Sequence, residues 1–224
     1  MCGRFSLTVD PDELREAFSL EAPPPAELSR RYNIAPTQAV AVIPNEAPRR
    51  IELFQWGLVP AWAKDPRIGN SLINARSETA AEKPAFRAAF KRRRCLILAD
   101  GFYEWRREGT GPRARKTPMY IQMKDGRPFA LAGLWEAWQA PDAAAWLKTC
   151  TILTTTPNAL MAPIHDRMPV ILPPAAYADW LTPGELPPAQ AQALLQPFDP
   201  GLMTARAIST RVNNPRFDGP EILL

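Results

Sequence analysis

The sequence predicts an α+β fold built mainly from antiparallel strands. Short apolar or alternating runs recur along the chain, for example at 40–43, 51–56 and 95–99, and prolines, glycines and polar turns separate them. Helical patterns are few and short, and several begin at or beside a proline. There is no internal repeat and no long linker, and 224 residues suit a single domain. We therefore expect one domain that spans residues 1–224.

Composition favours an intracellular globular protein. The 46% hydrophobic residues and seven tryptophans allow a sizeable core, whereas the apolar runs are too short to span a bilayer. An acidic segment at 10–13 stands where a secretory signal would need an apolar stretch. We expect a cytoplasmic protein without a membrane partner. Its net charge of +4 suits contact with a polyanion without establishing one.

Local signals predict the elements of the first half. Asp10 can cap a helix that starts at Pro11 and turns Leu14, Ala17 and Phe18 toward the core. Prolines then end this helix. We expect a loop at 30–36, strands at 40–43 and 51–56, an extended piece at 73–76 and a helix at 84–90.

In the second half, the basic run 91–94 predicts the solvated end of a helix. An apolar strand at 95–99 and a polar loop at 106–116 follow. The segments 119–123 and 129–134, joined by an Asp-Gly turn, predict a β-hairpin. We further expect strands at 149–155 and 204–209, a short apolar segment at 170–172, helices at 175–181 and 189–195, and a loop at 211–214.

The cysteines and the histidine do not predict a metal site. Cys2, Cys95 and Cys150 form no CxxC pair, and His165 is the only histidine. These residues cannot assemble a zinc cluster of familiar spacing. We expect neither a metal nor a cofactor.

The N-terminal sequence Met1-Cys2-Gly3 offers unusual chemistry. Because Cys2 is small, ordinary aminopeptidases can remove Met1 and leave cysteine as the first residue. Its adjacent amine and thiol can then condense with an aldehyde, first as an imine and then as a thiazolidine ring. An α-amine loses its proton at a pKa of roughly 7.7–8.0, against about 10.4 for lysine, which favours imine formation at neutral pH. The alternative is an ordinary buried cysteine.

Three more residues have side chains suited to catalysis, and each also has a structural alternative. Glu104 follows an apolar strand and can act as a general acid or base, or pair with an arginine. His165 can exchange protons near neutral pH or serve as a satisfied structural residue. Asn74 can orient an intermediate or cap a turn.

Taken together, these stretches resemble the SRAP family of abasic-site processing proteins. The resemblance covers most of the chain and rests on six segments in the family's order, which are 1–5 (MCGRF), 31–36 (RYNIAP), Trp56-Gly57 with Pro60 and Trp62, 73–79 (INARSET), 100–105 (DGFYEW) and 164–169 (IHDRMP). It implies a single SRAP-type α+β domain with a mainly antiparallel, barrel-like core and peripheral helices.

The resemblance also implies a function. Such a protein senses abasic sites in single-stranded DNA and forms a thiazolidine crosslink through Cys2 once Met1 is removed, which shields the lesion in the SOS response to DNA damage. Weak AP lyase activity and peptidase-like processing of its own N-terminus would accompany crosslinking. It would act as a monomer in the cytoplasm, associated with the nucleoid when bound to DNA.

The resemblance assigns roles to individual residues. Glu104 would move protons at the amine and imine, His165 would assist opening of the sugar, and Asn74 would hold the intermediate formed on Cys2. The residues expected to contact DNA are Arg4, Asn33, Pro36, Trp62, Arg76, Trp105, Thr154 and Arg167.

Two other functions stay open on the sequence. Cys2 as nucleophile and His165 as base, oriented by Asn74 or Glu104, would also suit a cysteine-dependent hydrolase or peptidase. The basic, tryptophan-rich composition would suit a single-stranded DNA-binding module that forms no covalent bond.

Overall fold

Two β-sheets make up most of the regular structure in the computed structural model, which describes residues 2–110, 115–140 and 144–224. The first, here called the N-terminal sheet, has the strand order β13-β8-β7-β1-β2, and all of its neighbouring strands are antiparallel. Numbered by position in the chain, its strands are β1 (Phe5–Leu7), β2 (Arg31–Ile34), β7 (Gly101–Glu108), β8 (Arg115–Met123) and β13 (Met203–Ala207).

The second sheet closes into a barrel. Its strands are β3 (Ala39–Pro44), β4 (Glu52–Trp56), β5 (Asn74–Arg76), β6 (Arg94–Ala99), β9 (Phe129–Trp138), β10 (Leu147–Thr155), β11 (Met168–Pro169) and β12 (Ile171–Leu172). The ring β10-β4-β3-β6-β9 closes because β9 also pairs with β10. Within the ring only the β10–β4 pair is parallel. This confirms the mainly antiparallel, barrel-like core.

The helices are short and lie between the strands along the chain, which confirms the α+β class. The α-helices are α1 (Pro11–Ala17), α2 (Ser77–Ala80), α3 (Arg87–Arg92), α4 (Tyr177–Trp180) and α5 (Pro188–Leu194). Short 3-10 turns occupy Pro66–Ser71, Pro174–Ala176, Pro200–Leu202, Thr210–Asn213 and Pro220–Ile222. Among the described residues, no helix reaches the length and apolar character needed to cross a membrane.

An aromatic contact joins the two sheets. Phe5 on β1 meets Trp56 on β4 edge to face, with ring centroids 5.1 Å apart, and both side chains are fully buried. This is a favourable geometry for aromatic packing. It fixes the start of the chain against the barrel.

The segment 30–36 is not the loop that its sequence predicts, because it contains β2. This strand pairs with β1, and its main-chain N–H groups at Tyr32 and Asn33 donate to Asp218 Oδ1 at 2.6 and 2.7 Å. A carboxylate from the far end of the chain satisfies these amides, so the strand does not depend on a local pattern.

The predicted hairpin of 119–123 and 129–134 is wrong. Both segments are strands, but β8 belongs to the N-terminal sheet and β9 to the barrel. The turn at Asp125-Gly126 therefore carries the chain from one sheet to the other. The loop expected at 106–116 is also shorter than predicted, because β7 continues to Glu108 and β8 begins at Arg115. Residues 111–114 of that loop lie outside the described residues.

Arg94 does not belong to a solvated helix end. It begins β6 and has no exposed surface, whereas α3 ends two residues earlier. Its guanidinium donates to the main-chain carbonyls of Lys91, Trp180, Thr182 and Gly184. A buried charge requires such partners, so Arg94 ties the 180–184 segment to the barrel.

The helices near the chain start also differ in detail from the prediction. Helix α1 begins at Pro11 as expected, but Asp10 accepts a hydrogen bond from Arg30 at 2.6 Å and does not cap the helix with its side chain. Leu14 is buried as expected, whereas Ala17 is exposed. The helix predicted at 84–90 is displaced toward the C-terminus as α3.

Candidate active site

Cys2 lies just before β1, where the N-terminal sheet approaches the barrel. The N–H of Tyr103 donates to the carbonyl of Arg4 at 3.0 Å, which continues the β1–β7 pairing toward Cys2. The thiol is fully buried and lies 3.9 Å from that carbonyl. Burial, and to a lesser degree the negative charge of Glu104, raises the pKa of this thiol. The thiol is therefore protonated at neutral pH.

Asn74 approaches Cys2 from the barrel. It starts β5, which runs parallel to β10 with Asn74 opposite Ile152. Its Nδ2 donates to the carbonyl of Cys2 at 2.8 Å. Its Oδ1 is buried and accepts no hydrogen bond from any described residue. A buried acceptor without a donor is costly, and this one is placed to accept a hydrogen bond from a molecule bound beside Cys2.

Glu104 and His165 complete the group. Glu104 lies on β7 and is buried, and its Oε2 is 4.0 Å from His165 Nε2. The chain reaches His165 through a turn after β10, in which Asn158 Oδ1 accepts from the N–H of Met161 at 3.0 Å and the carbonyl of Met161 accepts from the N–H of His165 at 2.9 Å. Strand β7 and this turn therefore bring a carboxylate and an imidazole close together.

The hydrogen bonds of His165 indicate its tautomer. The N–H of Arg167 donates to Nδ1 at 3.0 Å, while a carboxylate oxygen of Asp166 lies 2.9 Å from the same nitrogen. A neutral imidazole cannot accept the first and donate to the second. We assign the proton to Nε2, because the main-chain contact is fixed and the Asp166 side chain is 89% exposed and free to turn into solvent. The Nε2 proton then lies on the side of Glu104.

Arg167 makes protein contacts beside this site. It forms a two-pronged ion pair with Glu78 at 2.7 and 2.8 Å and donates to the carbonyl of Thr154 at 2.6 Å. The guanidinium lowers the pKa of the Glu78 carboxyl. The hydroxyl of Thr154 is buried, donates to the carbonyl of Ala75 at 3.5 Å and accepts from Arg167 Nη2 at 3.4 Å. Phosphate binding by Arg167 would therefore compete with Glu78.

Arg4 and Asn33 contact the end of the chain. Arg4 Nη1 donates to Asn33 Oδ1 and to the carbonyl of Val212, both at 2.7 Å. Asn33 is fully buried, and its Nδ2 donates to the carbonyls of Val212, Asn214 and Phe217. These bonds hold residues 209–223, here called the C-terminal strap, against β1 and β2. The structure thus places Asn33 in the interior.

A groove of about 610 Å³ opens beside Asn74 and contains two of the residues expected to contact DNA. This proximal groove is lined by Trp62, Leu72, Asn74, Arg76, Thr79, Lys83, Pro84, Ala85 and Phe86. Trp62 is 61% exposed and Arg76 is also exposed, so an aromatic face and a cation are available to a ligand. Lys83 also lines the groove, and no sequence motif predicted it as a site residue, although it stands only nine positions after Asn74.

Trp105 and Pro36, the last two of the eight expected DNA contacts, also lie outside this groove. Trp105 is half-buried on β7, and its Nε1 donates to Asn213 Oδ1 at 2.8 Å, so it contacts the C-terminal strap. Pro36 is half-buried after β2. The structure therefore brings Cys2, Asn74, Glu104 and His165 together, but it distributes the DNA-contact set over several surfaces.

Two further expectations from the sequence are the removal of Met1 and the lack of a metal site. Met1, whose removal would free the amine of Cys2, lies outside the described residues. The described residues contain no group of three or more His, Cys, Asp or Glu side chains placed to hold a metal ion.

The chain is similar to one protein family over most of its length. The SRAP family model, described as SOS response associated peptidase, matches residues 1–215. The abasic site processing protein YoqW of Bacillus subtilis (strain 168) is 45% identical over 225 residues, covering 100% of this chain and 99% of YoqW. The abasic site processing protein HMCES of Xenopus tropicalis is 30% identical over 262 residues, covering 100% of this chain and 78% of HMCES.

Solved structures share the fold. A protein from Bacteroides thetaiotaomicron superposes with a TM-score of 0.87 at 27% identity, covering 99% of this chain and 98% of that one. A protein from Bordetella bronchiseptica gives a TM-score of 0.77 at 28% identity, covering 93% of this chain and 100% of that one. The two-sheet architecture is therefore common to these proteins and this chain.

Proposed function

The chain belongs to the SRAP family, and we propose that it processes abasic sites in single-stranded DNA by forming a covalent bond through Cys2. The observation that carries this proposal is the convergence of Asn74, Glu104 and His165 on the start of the chain, which includes the 2.8 Å hydrogen bond from Asn74 to the carbonyl of Cys2. Nothing in that group requires a metal ion. The whole chain acts as one SRAP domain.

The reaction begins at the α-amine that removal of Met1 exposes. This amine attacks the aldehyde carbon of the ring-opened abasic sugar, and loss of water gives an imine. The thiol of Cys2 then adds to the imine carbon, and its proton passes to the nitrogen. The product is a five-membered thiazolidine, formed from the amine, the thiol and the aldehyde with water as the only by-product.

The side chains around Cys2 have separate tasks in this sequence. Glu104 accepts a proton from the amine or thiol and returns it to nitrogen. His165, with its Nε2 proton on the side of Glu104, donates to the ring oxygen of the sugar as the ring opens. Asn74 fixes the main chain of Cys2, and its buried Oδ1 accepts a hydrogen bond from the sugar hydroxyl or the amine.

The imine also allows a competing reaction. It makes the proton on the neighbouring sugar carbon more acidic, so that elimination breaks the DNA strand on the 3′ side of the lesion. Weak AP lyase activity therefore accompanies crosslinking. Addition of the thiol removes the imine, which limits this side reaction and shields the lesion.

The hydrolase alternative is less favoured by the electrostatics of the site. A cysteine hydrolase needs a thiolate, usually stabilised by a nearby imidazolium or helix N-terminus. Here burial and the Glu104 charge raise the pKa of the Cys2 thiol. The amine-first reaction does not need a thiolate in the resting protein. The peptidase named in the family description is compatible with processing of the N-terminus itself.

The test uses protein whose Met1 has been removed and a single-stranded oligonucleotide with one abasic site. We expect an adduct that survives heat and denaturant and that peptide mapping assigns to Cys2. The Cys2→Ala variant should form no such adduct, whereas the matched Cys150→Ala variant, which removes a buried thiol elsewhere, should form it normally.

Three results would point elsewhere. A stable adduct with Cys2→Ala would rule out the thiazolidine. Thiol-dependent hydrolysis by protein that retains Met1, without any adduct from the processed form, would favour the hydrolase. Equal binding of abasic and undamaged DNA at matched salt, with no adduct, would indicate a non-covalent binding module.

A further inference from the structure

A row of exposed cations leads away from the candidate active site. Lys83, Arg87 and Lys91 are exposed and stand four residues apart. The N–H of Arg87 donates to the carbonyl of Lys83 at 2.9 Å, so a helical turn begins at Lys83 and continues into α3. Side chains four residues apart share one face of a helix. Arg87 and Lys91 therefore lie on one face of α3, and Lys83 lies in the turn that leads into it; these three residues are here called the cation stripe.

The cation stripe connects two concave surfaces. The proximal groove is lined by both Asn74 and Lys83. A second depression of about 410 Å³, here called the distal cavity, is lined by Ala81, Arg87, Ala88, Lys91, Arg92, Arg93 and Glu185. The stripe therefore begins in the groove beside the active site and ends in the next cavity.

The neighbouring Arg92 and Arg93 form ion pairs with carboxylates, whereas the stripe residues form none among the described residues. Arg92 pairs with Glu185 at 2.5 Å, and Arg93 pairs with Glu136 at 2.6 Å. Within the parts of the chain that the structure describes, none of the three stripe side chains makes an ion pair or a hydrogen bond. Like charges four residues apart on a helix repel one another. An anionic ligand would relieve this repulsion.

The two cavities differ in the type of surface that they offer. The proximal groove has an exposed aromatic side chain at Trp62, on which a base can stack. The distal cavity has no aromatic lining residue and is dominated by cations. It therefore suits the backbone of a nucleic acid rather than its bases.

We propose that the cation stripe binds the phosphodiester backbone of the DNA strand on one side of the abasic site. This inference rests on the proposed function, because it takes the strand to start from Cys2 and Asn74. Arg87 and Lys91 are spaced by about 6 Å along α3, which is the scale of the spacing between neighbouring phosphates in an extended strand. Since Lys83 lines the proximal groove and Arg87 and Lys91 line the distal cavity, the stripe follows one flank of the lesion.

The test measures equilibrium binding of oligonucleotides in which tetrahydrofuran replaces the abasic sugar, so that no aldehyde is present to react. One oligonucleotide extends about ten nucleotides to the 5′ side of the analogue and the other extends equally to the 3′ side, within the usual footprint of a single-strand binding site. The stripe variant replaces its three cations by glutamine. A control variant replaces three exposed cations outside both cavities: Arg15, Arg50 and Lys124.

We expect the stripe variant to flatten the dependence of log Kd on log salt by about 2, since each phosphate contact on a single strand contributes about 0.7. The change should appear with one of the two oligonucleotides only, and the control variant should leave both slopes close to those of the unchanged protein. Unchanged slopes for the stripe variant, equal losses on both oligonucleotides, or equal losses in the control variant would each overturn the proposal.

A separate measurement distinguishes this inference from the proposed function. Adduct formation with abasic DNA is measured on the unchanged protein and on the control variant, and both should form the heat-stable adduct. If the unchanged protein forms no adduct, the proposed function fails. If the adduct forms but the salt slopes do not change, only the stripe fails.

Discussion

At the scale of single residues, the thiol of Cys2 is held in a form that resists reaction by itself. It is fully buried, and burial together with the Glu104 carboxylate raises its pKa. A protonated thiol is a poor nucleophile toward most electrophiles. In the proposed reaction, the thiol would add only after an imine forms on the adjacent nitrogen and Glu104 removes the thiol proton. The thiol would then react with an aldehyde that the amine has already bound.

The Glu104→Gln substitution should separate the effect of the Glu104 charge on the thiol pKa from the proton transfer that Glu104 carries out. It removes the negative charge that raises the pKa of the Cys2 thiol, so the thiolate should form at lower pH than in the unchanged protein. Alkylation of Cys2 by iodoacetamide should therefore be faster at each pH from about 7 to 9 than in the unchanged protein, as followed by peptide mapping. Adduct formation with abasic DNA should slow by about 10²-fold or more, because proton transfer is lost.

The control for this prediction lies on the same strand. Glu108 is exposed near the end of β7 and pairs with Arg106 at 2.7 Å. Glu108→Gln should change neither the pH profile of Cys2 alkylation nor the rate of adduct formation. An unchanged alkylation profile for Glu104→Gln would mean that Glu104 does not influence the thiol.

At the scale of elements, the C-terminal strap completes an exposed sheet edge. Strand β2 is the last strand of the N-terminal sheet, and Asp218 accepts hydrogen bonds from its N–H groups at Tyr32 and Asn33. Unpaired edge strands invite pairing with other chains. The strap therefore protects this edge. Through Arg4, it also steadies the segment that carries Cys2.

Replacement of Asn33 by alanine should weaken the strap. The substitution removes three donated hydrogen bonds and the acceptor for Arg4, and among the described residues it leaves the carbonyl of Phe217 without a donor. We expect the free energy of unfolding to fall by about 2–4 kcal/mol, measured by urea denaturation. The matched Asn70→Ala substitution, at an exposed position, should change it by less than about 0.5 kcal/mol. A loss of DNA affinity at Asn33→Ala without any loss of stability would instead favour a direct DNA contact.

The sequence predicted those elements that local patterns determine. The apolar strand at 95–99 and the β-branched strand at 149–155 are both present, because continuous apolar runs are typical of strands that are buried on both faces. Strand β2 was missed because its partners are β1 and Asp218. The hairpin was wrongly predicted because an Asp-Gly turn specifies a reversal of direction but not which sheet receives the next strand.

In the candidate site, too, contacts between residues far apart in the sequence could not be predicted from local patterns. Family resemblance supplied Cys2, Asn74, Glu104 and His165, and the structure brings them together. The sequence did not indicate that Arg167 would form an ion pair with Glu78, because these residues are 89 positions apart. The cation stripe was visible as a four-residue spacing, but only the cavities on either side of it suggest a ligand.

At the scale of the whole molecule, the site depends on how the barrel closes. Cys2 and Glu104 come from the N-terminal sheet, whereas Asn74 comes from β5 on the barrel strand β10. On β9, Gly133 stands opposite Cys95 of β6 and opposite Ile152 of β10, and Ile152 in turn stands opposite Asn74. The β9–β10 pairing that closes the barrel is therefore linked to Asn74 through one further pairing, that of β10 with β5.

The Gly133→Ala substitution should test how tightly this closure is packed. An added Cβ would lie 2.8 Å from both Cys95 Sγ and a methyl carbon of Ile97, which is closer than normal contact. We expect the free energy of unfolding to fall by about 1–3 kcal/mol. Removing the sulfur with Cys95→Ala makes room, so the double variant should be less destabilised than the sum of the single variants. Urea denaturation of all four proteins gives the coupling energy, and strict additivity would show that the barrel relaxes around the new methyl group without involving Cys95.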